Sequence, residues 1–188
     1  GQGTRLGHNG PKGTFDLGLD SHKSLFEILT DGFKDVQQEY GVAVPWYIMT
    51  SKENNDDTVK FFEMNNYFEY PREAVRMFFK QSELPMLDEA GKIIINEEGI
   101  IKEAADGHGG IFEAMFRNGV LADMKEKGVE WVFVGGVDNP LVKMADPLFV
   151  GFAASNNYMA ASKTLAKAYP EEKVGVFCKK NGKPYVIE

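Results

Sequence analysis

Residues 21–51 read SHKSLFEILTDGFKDVQQEYGVAVPWYIMTS, and a change of period inside this stretch sets the fold class. Leu25, Leu29, Phe33 and Val36 recur at spacings of three and four, the period of one helix face, with Ser21 available as an N-cap and Gly41 as a stop. Val42 to Met49 is then almost continuously apolar, as a strand buried on both faces is, with Pro45 tolerated near its start. Thr50-Ser51 opens the next loop.

The same alternation continues outward. Asp57 to Asn66 suits a helix, Val75 to Phe79 a short strand, and Lys92 to Asn96 another strand after the turn at Glu89-Ala90-Gly91. Ile111 to Lys127 carries Phe112, Met115, Phe116, Val120 and Met124 at helical period and ends at Gly128. Trp131 to Val137 follows as an apolar strand. Towards the end the pattern changes: Lys173 to Cys178 and Pro184 to Ile187 flank Asn181-Gly182, a residue pair suited to the positive backbone angles of a tight hairpin. Helices alternating with apolar strands predict an α/β fold whose sheet is mostly parallel, with helices on both faces. No repeat, low-complexity tract or long linker divides the 188 residues, so one domain is expected.

Composition narrows the function classes. Apolar residues at 43% and charged residues at 26% fit a soluble globular chain. A formal net charge of −7 argues against a nucleic-acid partner, which needs clustered cations to replace condensed counterions. No apolar run approaches the roughly 18 residues that span a bilayer, so no membrane is expected as a partner. Cys178 is the only cysteine; it allows neither an intrachain disulfide nor a cysteine metal cluster, and a reducing, cytoplasmic location is the expectation.

The chemistry concentrates in loops. Gly1-Gln2-Gly3-Thr4-Arg5-Leu6-Gly7 precedes Pro11-Lys12-Gly13. Glycines let backbone N–H groups approach a polyphosphate, and Arg5 and Lys12 add charge-assisted donors. The dinucleotide fingerprint would need glycine where Leu6 stands, and the P-loop would need Gly-Lys-Ser or Gly-Lys-Thr, so neither fits. An ordinary flexible loop stays open on spacing alone. Asp138, at the carboxyl end of the strand expected at Trp131 to Val137, reads either as a ligand contact or as a turn cap. Gln81 is either a base-reading amide or a solvated loop residue. His8 and His22 read as surface residues.

The string GQGTRLG followed by PKG resembles the signature of the eukaryotic-type UDP-sugar pyrophosphorylases. The likeness continues in order through VPWYIMTS (Val44 to Ser51), QSELP (Gln81 to Pro85), ADGHGG (Ala105 to Gly110), VDNPLVKMADP (Val137 to Pro147), VGVFC (Val174 to Cys178) and the terminal YVIE. It implies a Rossmann-like, mixed, mostly parallel sheet of the nucleotide-diphospho-sugar transferase type. In that family a Leu-x-x-Gly segment precedes the glycine loop, so residues 1–188 are expected to be a partial catalytic domain without its first strand and C-terminal portion.

The resemblance also implies roles. UTP and a hexose 1-phosphate would be the substrates and UDP-sugar and pyrophosphate the products. Arg5 and Lys12 would be catalytic; Gly1, Gly3 and Thr4 would line the nucleotide; Gln81 and the Gly107 backbone would read the uracil; Asp138 would hold Mg²⁺. His108, Gly175 and Glu188 would face the sugar. On the sugar the residues divide, since Trp46-Tyr47 leans to the N-acetylhexosamine enzymes and His108 to the glucose ones. A noncatalytic nucleotide-sensing module with the same fold is the alternative.

Overall fold

The computed structural model describes residues 2–187. Gly1 and Glu188, expected at the nucleotide and the sugar, lie outside the described residues, as does the side chain of Arg5. The chain divides into two compact units, Gly1–Val150 and Gly151–Glu188.

Helix α1 (Leu25–Tyr40) starts later than expected. The cap is Ser24 rather than Ser21: its hydroxyl accepts from the Glu27 N–H at 3.2 Å, in a Ser-x-x-Glu arrangement. His22, at φ 51°, ends any helical path through the earlier serine. Gly41 closes α1 at φ 70°, its N–H reaching the Gln37 carbonyl at 2.8 Å.

Strand β1 (Trp46–Thr50), helix α2 (Asn55–Met64) and strand β2 (Val75–Lys80) form a β–α–β crossover, and β1 and β2 pair in parallel. Pro45 lacks a donor, so pairing begins at Trp46, whose N–H meets the Ala74 carbonyl at 2.7 Å. α2 ends at Met64, short of the expected Asn66, because residues 66–69 turn left-handed with φ between 47° and 62°. Such backbone costs roughly 1–2 kcal/mol per L-residue. Burial offsets it: Tyr67 and Phe68 drive their rings onto Phe62, a fully buried side chain also packed against Phe26, Trp46 and Phe78.

The expected helix over residues 111–127 is two helices, α3 (Ile111–Arg117) and α4 (Val120–Glu126). Gly119, at φ 77°, breaks the path, and the Asn118 amide donates to the carbonyls of Lys80 and Ala114 at 3.2 and 2.8 Å. α4 is clamped to the parallel pair by charge. Arg76 on β2 holds the Asp123 carboxylate at 2.5 and 3.0 Å, and the Tyr47 hydroxyl of β1 donates to it at 2.7 Å. The guanidinium, then the phenol, lowers the Asp123 carboxyl to about 2, while burial and this carboxylate push the Tyr47 phenol up to about 12.

Strands β3 (Glu83–Pro85) and β4 (Glu103–Ala105) make an antiparallel arm, tied to the loop after β1 by Lys52, which reaches Glu83 at 2.6 Å and Glu103 at 3.0 Å. Lys92 to Asn96 does not become the expected strand. It contributes only the bridges Leu87↔Ile93 and Ile95↔Ile101, because the Asn96 side chain takes the N–H groups of Glu98 and Ile100 and turns the chain.

Trp131 to Val137 does not become the expected strand: residues 131–136 take no regular structure, Val137 already lies in a turn, and none of the run's backbone groups bonds another described residue. Phe133 and Val137 pack on the core around Phe62, whereas Val132 and Val134 stay exposed. In place of one continuous sheet, the described residues form three two-stranded sheets, of which only β1–β2 is parallel. The α/β class holds. Helix α5 (Pro147–Ser155) contains the boundary between the units. In the second unit β5 (Val176–Lys180) and β6 (Lys183–Ile187) form the expected hairpin, with Asn181 and Gly182 at φ 53° and 77°.

Candidate functional site

Most of the candidate site residues fall in two constellations, both in the first unit. The glycine loop folds on itself: the Gly3 N–H meets the Gly10 carbonyl at 2.9 Å and the Gly7 N–H the Thr4 carbonyl at 3.1 Å. Those two donors are therefore spent inside the loop, contrary to the expectation that its glycines leave N–H groups open for phosphate. Gly3 serves close packing instead. A Cβ there would fall on the His8 ring, and His8 is not a plain surface residue: half-buried, it bonds the Thr14 hydroxyl at 2.7 Å. Thr4 is exposed. His22 is exposed as expected, 3.2 Å from Asp16.

Lys12 is set by its neighbour. Gly13 is buried where a Cβ would enter the Phe26 ring, so the turn Lys12–Thr14 lies directly on α1. From that seat the Lys12 ammonium donates to Asp138 Oδ1 at 2.5 Å, across 126 positions of sequence. The lysine is largely covered and the carboxylate is 57% exposed, leaving oxygen surface open. The turn-cap role considered for Asp138 falls to Asn139, whose side chain takes the Leu141 N–H at 3.2 Å.

The second constellation stands at the carboxyl ends of β1 and β2, where open α/β sheets bind ligands. Gln81 follows β2 directly, and its N–H donates to the Thr50 carbonyl at 2.7 Å. Its side-chain amide donates to Asp106 Oδ1 at 2.9 Å and to the Gly107 carbonyl at 2.8 Å. Gly107 has φ 83° and ψ 174°, a region open essentially to glycine alone. In the sequence Asp106 carries no signal beyond being a carboxylate inside a glycine-rich string. His108 is exposed in the turn that leads into α3. Gly175 lies in the second unit, exposed, just ahead of β5.

Among the described residues no group of three or more His, Cys, Asp or Glu side chains could hold a metal, and no helix is long and apolar enough to cross a membrane. A magnesium ion needs fewer protein ligands than that. It is commonly held by one or two carboxylates together with phosphate oxygens and water, so an exposed Asp138 fits such an ion.

The likeness seen in the sequence extends to known proteins. A UDP-N-acetylhexosamine pyrophosphorylase-like protein 1 from Mus musculus is 42% identical over 194 residues, covering 100% of this chain and 38% of that protein. The UDP-N-acetylglucosamine pyrophosphorylase of Saccharomyces cerevisiae is 40% identical, with 100% and 40% covered. The crystal structure of the uridine diphosphate N-acetylglucosamine pyrophosphorylase from Trypanosoma brucei superposes with a TM-score of 0.91 at 36% identity, covering 100% of this chain and 40% of that one. The chain thus spans about two fifths of the length of these relatives. The model of the family described as UTP--glucose-1-phosphate uridylyltransferase matches residues 1–188, and the chain belongs to that family.

Proposed function

We propose that the full-length protein is a uridylyltransferase that joins UTP to a hexose 1-phosphate. A phosphate oxygen of the sugar 1-phosphate attacks the α-phosphorus of UTP in line; the new P–O bond forms as the bond to the β-phosphate oxygen breaks, and pyrophosphate leaves. No proton need move, since the nucleophile is already an anion, so positioning and charge stabilisation carry the reaction. The observation that carries this reading is the meeting of Lys12 and Asp138 beside the glycine loop at 2.5 Å.

Lys12, with Arg5, supplies positive charge to the phosphates, where it counts most as charge grows on the leaving oxygens. Gly1, Gly3 and Thr4 shape the wall on which the nucleotide lies. Gln81 and the Gly107 backbone read the uracil. Asp138 holds Mg²⁺, which when bound neutralises phosphate charge. His108, Gly175 and Glu188 contact the hexose. N-acetylglucosamine 1-phosphate is the favoured sugar substrate, on the names of relatives about 40% identical, with glucose 1-phosphate the competitor on account of His108. In the full-length protein β1 and β2 belong to a larger, mostly parallel Rossmann-like sheet, a reading supported by the one-sided burial of Trp131 to Val137, with Phe133 and Val137 on the core and Val132 and Val134 exposed. A cytoplasmic location accords with the lone Cys178.

Full-length protein tested with UTP, Mg²⁺ and a panel of hexose 1-phosphates should release pyrophosphate, fastest with N-acetylglucosamine 1-phosphate. Asp138→Asn should retain the fold by thermal melt and lose metal-dependent turnover, and Lys12→Ala should lower kcat on the order of 10²-fold. Retained nucleotide binding without pyrophosphate release from any sugar would favour the noncatalytic sensing module.

A further inference from the structure

We propose that Asp106 is a positioning residue that sets base specificity: with the Gly107 carbonyl it locks the Gln81 amide so that only the amide oxygen faces outward. That lone acceptor then selects uracil over cytosine. The inference rests on the reading of Gln81 as the base contact and goes beyond it by saying which half of the amide reads and what fixes it.

The chemistry of the donors and acceptors requires this orientation. The Gln81 Nε2 carries two protons, and it stands 2.9 Å from Asp106 Oδ1 and 2.8 Å from the Gly107 carbonyl, so both protons are used. Turning the amide over would set three acceptors against one another with no donor among them. A carboxylate is the stronger of the two anchors, because hydrogen bonds to a charged acceptor are roughly twice as strong as neutral ones.

Asp106 is itself seated. Its N–H donates to the Ser82 carbonyl at 3.2 Å, joining the residue just after β4 to the one just ahead of β3. A Cβ at Gly110 would fall on its carboxylate, so the glycine leaves the space that the side chain occupies. The Gly110 N–H holds the Gly107 carbonyl at 3.1 Å, fixing the second acceptor.

What remains to a ligand is an outward-facing acceptor on Gln81 beside the Gly107 N–H, which has no acceptor among the described residues. Uracil presents an N3–H donor next to carbonyl acceptors and matches that pair. Cytosine has a bare lone pair at N3 and would meet the Gln81 oxygen acceptor to acceptor. It could pair only by slipping one ring position, which the phosphates resist if they are held at the glycine loop. A site with a fixed polar edge discriminates strongly against a base that leaves it unpaired.

The test is kcat/KM for UTP and for CTP in full-length wild type, Gln81→Ala, Asp106→Asn and Asp106→Ala, with thermal melts alongside. Gln81→Ala should collapse the UTP/CTP ratio. Asp106→Ala should lower that ratio on the order of ten-fold, mainly through KM for UTP. Asp106→Asn, which preserves shape and can offer either an oxygen or an amide nitrogen, should fall between, and it carries the test if Asp106→Ala does not fold. An unchanged ratio in Gln81→Ala would remove base reading and this proposal with it. A collapsed ratio in Gln81→Ala beside an unchanged ratio in both Asp106 variants, or equal losses for both nucleotides, would overturn the role of Asp106 alone.

Discussion

Trp46–Thr50 and Trp131 to Val137 are both apolar runs that open on a tryptophan, yet only the first is a paired strand. β1 has β2 beside it, delivered by the α2 crossover, and its alternate side chains are buried. Trp131 to Val137 sets Phe133 and Val137 against the same core but leaves its backbone groups without described partners and Val134 at 55% exposure. Apolarity measures how much a segment gains by burial. Whether it becomes a strand depends on a neighbour that can take its N–H and C=O groups, and that neighbour is not written in the segment itself.

If the crossover is where stability resides, emptying its centre should have the largest effect. Phe62 is fully buried and touches rings from α1, β1, β2 and the left-handed turn. Phe62→Ala should cost about 3–5 kcal/mol by denaturant unfolding, as buried aromatic truncations do. A loss near 1 kcal/mol would mean that the crossover is not the dominant core, and the contrast between the two runs would lose its energetic basis.

A smaller effect is expected from the clamp that joins β1 and β2 to α4. Asp123 is depressed to about 2 in the fold, chiefly by Arg76, against 3.8 as its ordinary value. A lowered carboxyl contributes stability that is fully present above its unfolded value and lost as pH falls through the folded one. Melting temperature should therefore drop between about pH 4 and pH 2 more steeply in wild type than in Asp123→Asn, which should already melt lower at neutral pH. Parallel acid limbs for the two proteins would show that the clamp is not linked to folding.

Elements whose cause is local were legible in the sequence. The period of Leu25, Leu29, Phe33 and Val36 gave α1, and Asn181-Gly182 gave the hairpin, because a turn with two positive φ values selects those residues. Where two local signals competed, sequence alone chose wrongly: Ser21 and Ser24 are both good caps, and only Ser24 has a glutamate three residues on. Gly119 inside a helical period could be tolerated or could break the helix, and it breaks it. Of the candidate site, the residue types at Lys12, Asp138, Gln81 and Gly107 could be singled out, but contacts spanning 126 and 26 positions could not be read from any window. Asp106 was missed because its part depends on facing Gln81, which no local pattern encodes.

The smallest effect tests whether the crossover core sustains strain that the rest of the chain does not need. Glu69 has φ 62° in the left-handed turn, its side chain is 87% exposed, and its ion pair to Lys34 spans 4.0 Å. Such a pair contributes little, so the backbone decides the outcome. Glu69→Ala removes the pair and retains the left-handed cost of roughly 1–2 kcal/mol. Glu69→Gly removes the pair and the strain together, and gives back about 0.4–1 kcal/mol through the greater freedom of the unfolded chain. Glycine should therefore be more stable than alanine here by up to about 1.6 kcal/mol, the reverse of their order inside a right-handed helix, where alanine leads by about 1 kcal/mol. Thermal melts of the two variants side by side decide it: alanine equal to or above glycine would mean that the turn is not held left-handed in solution.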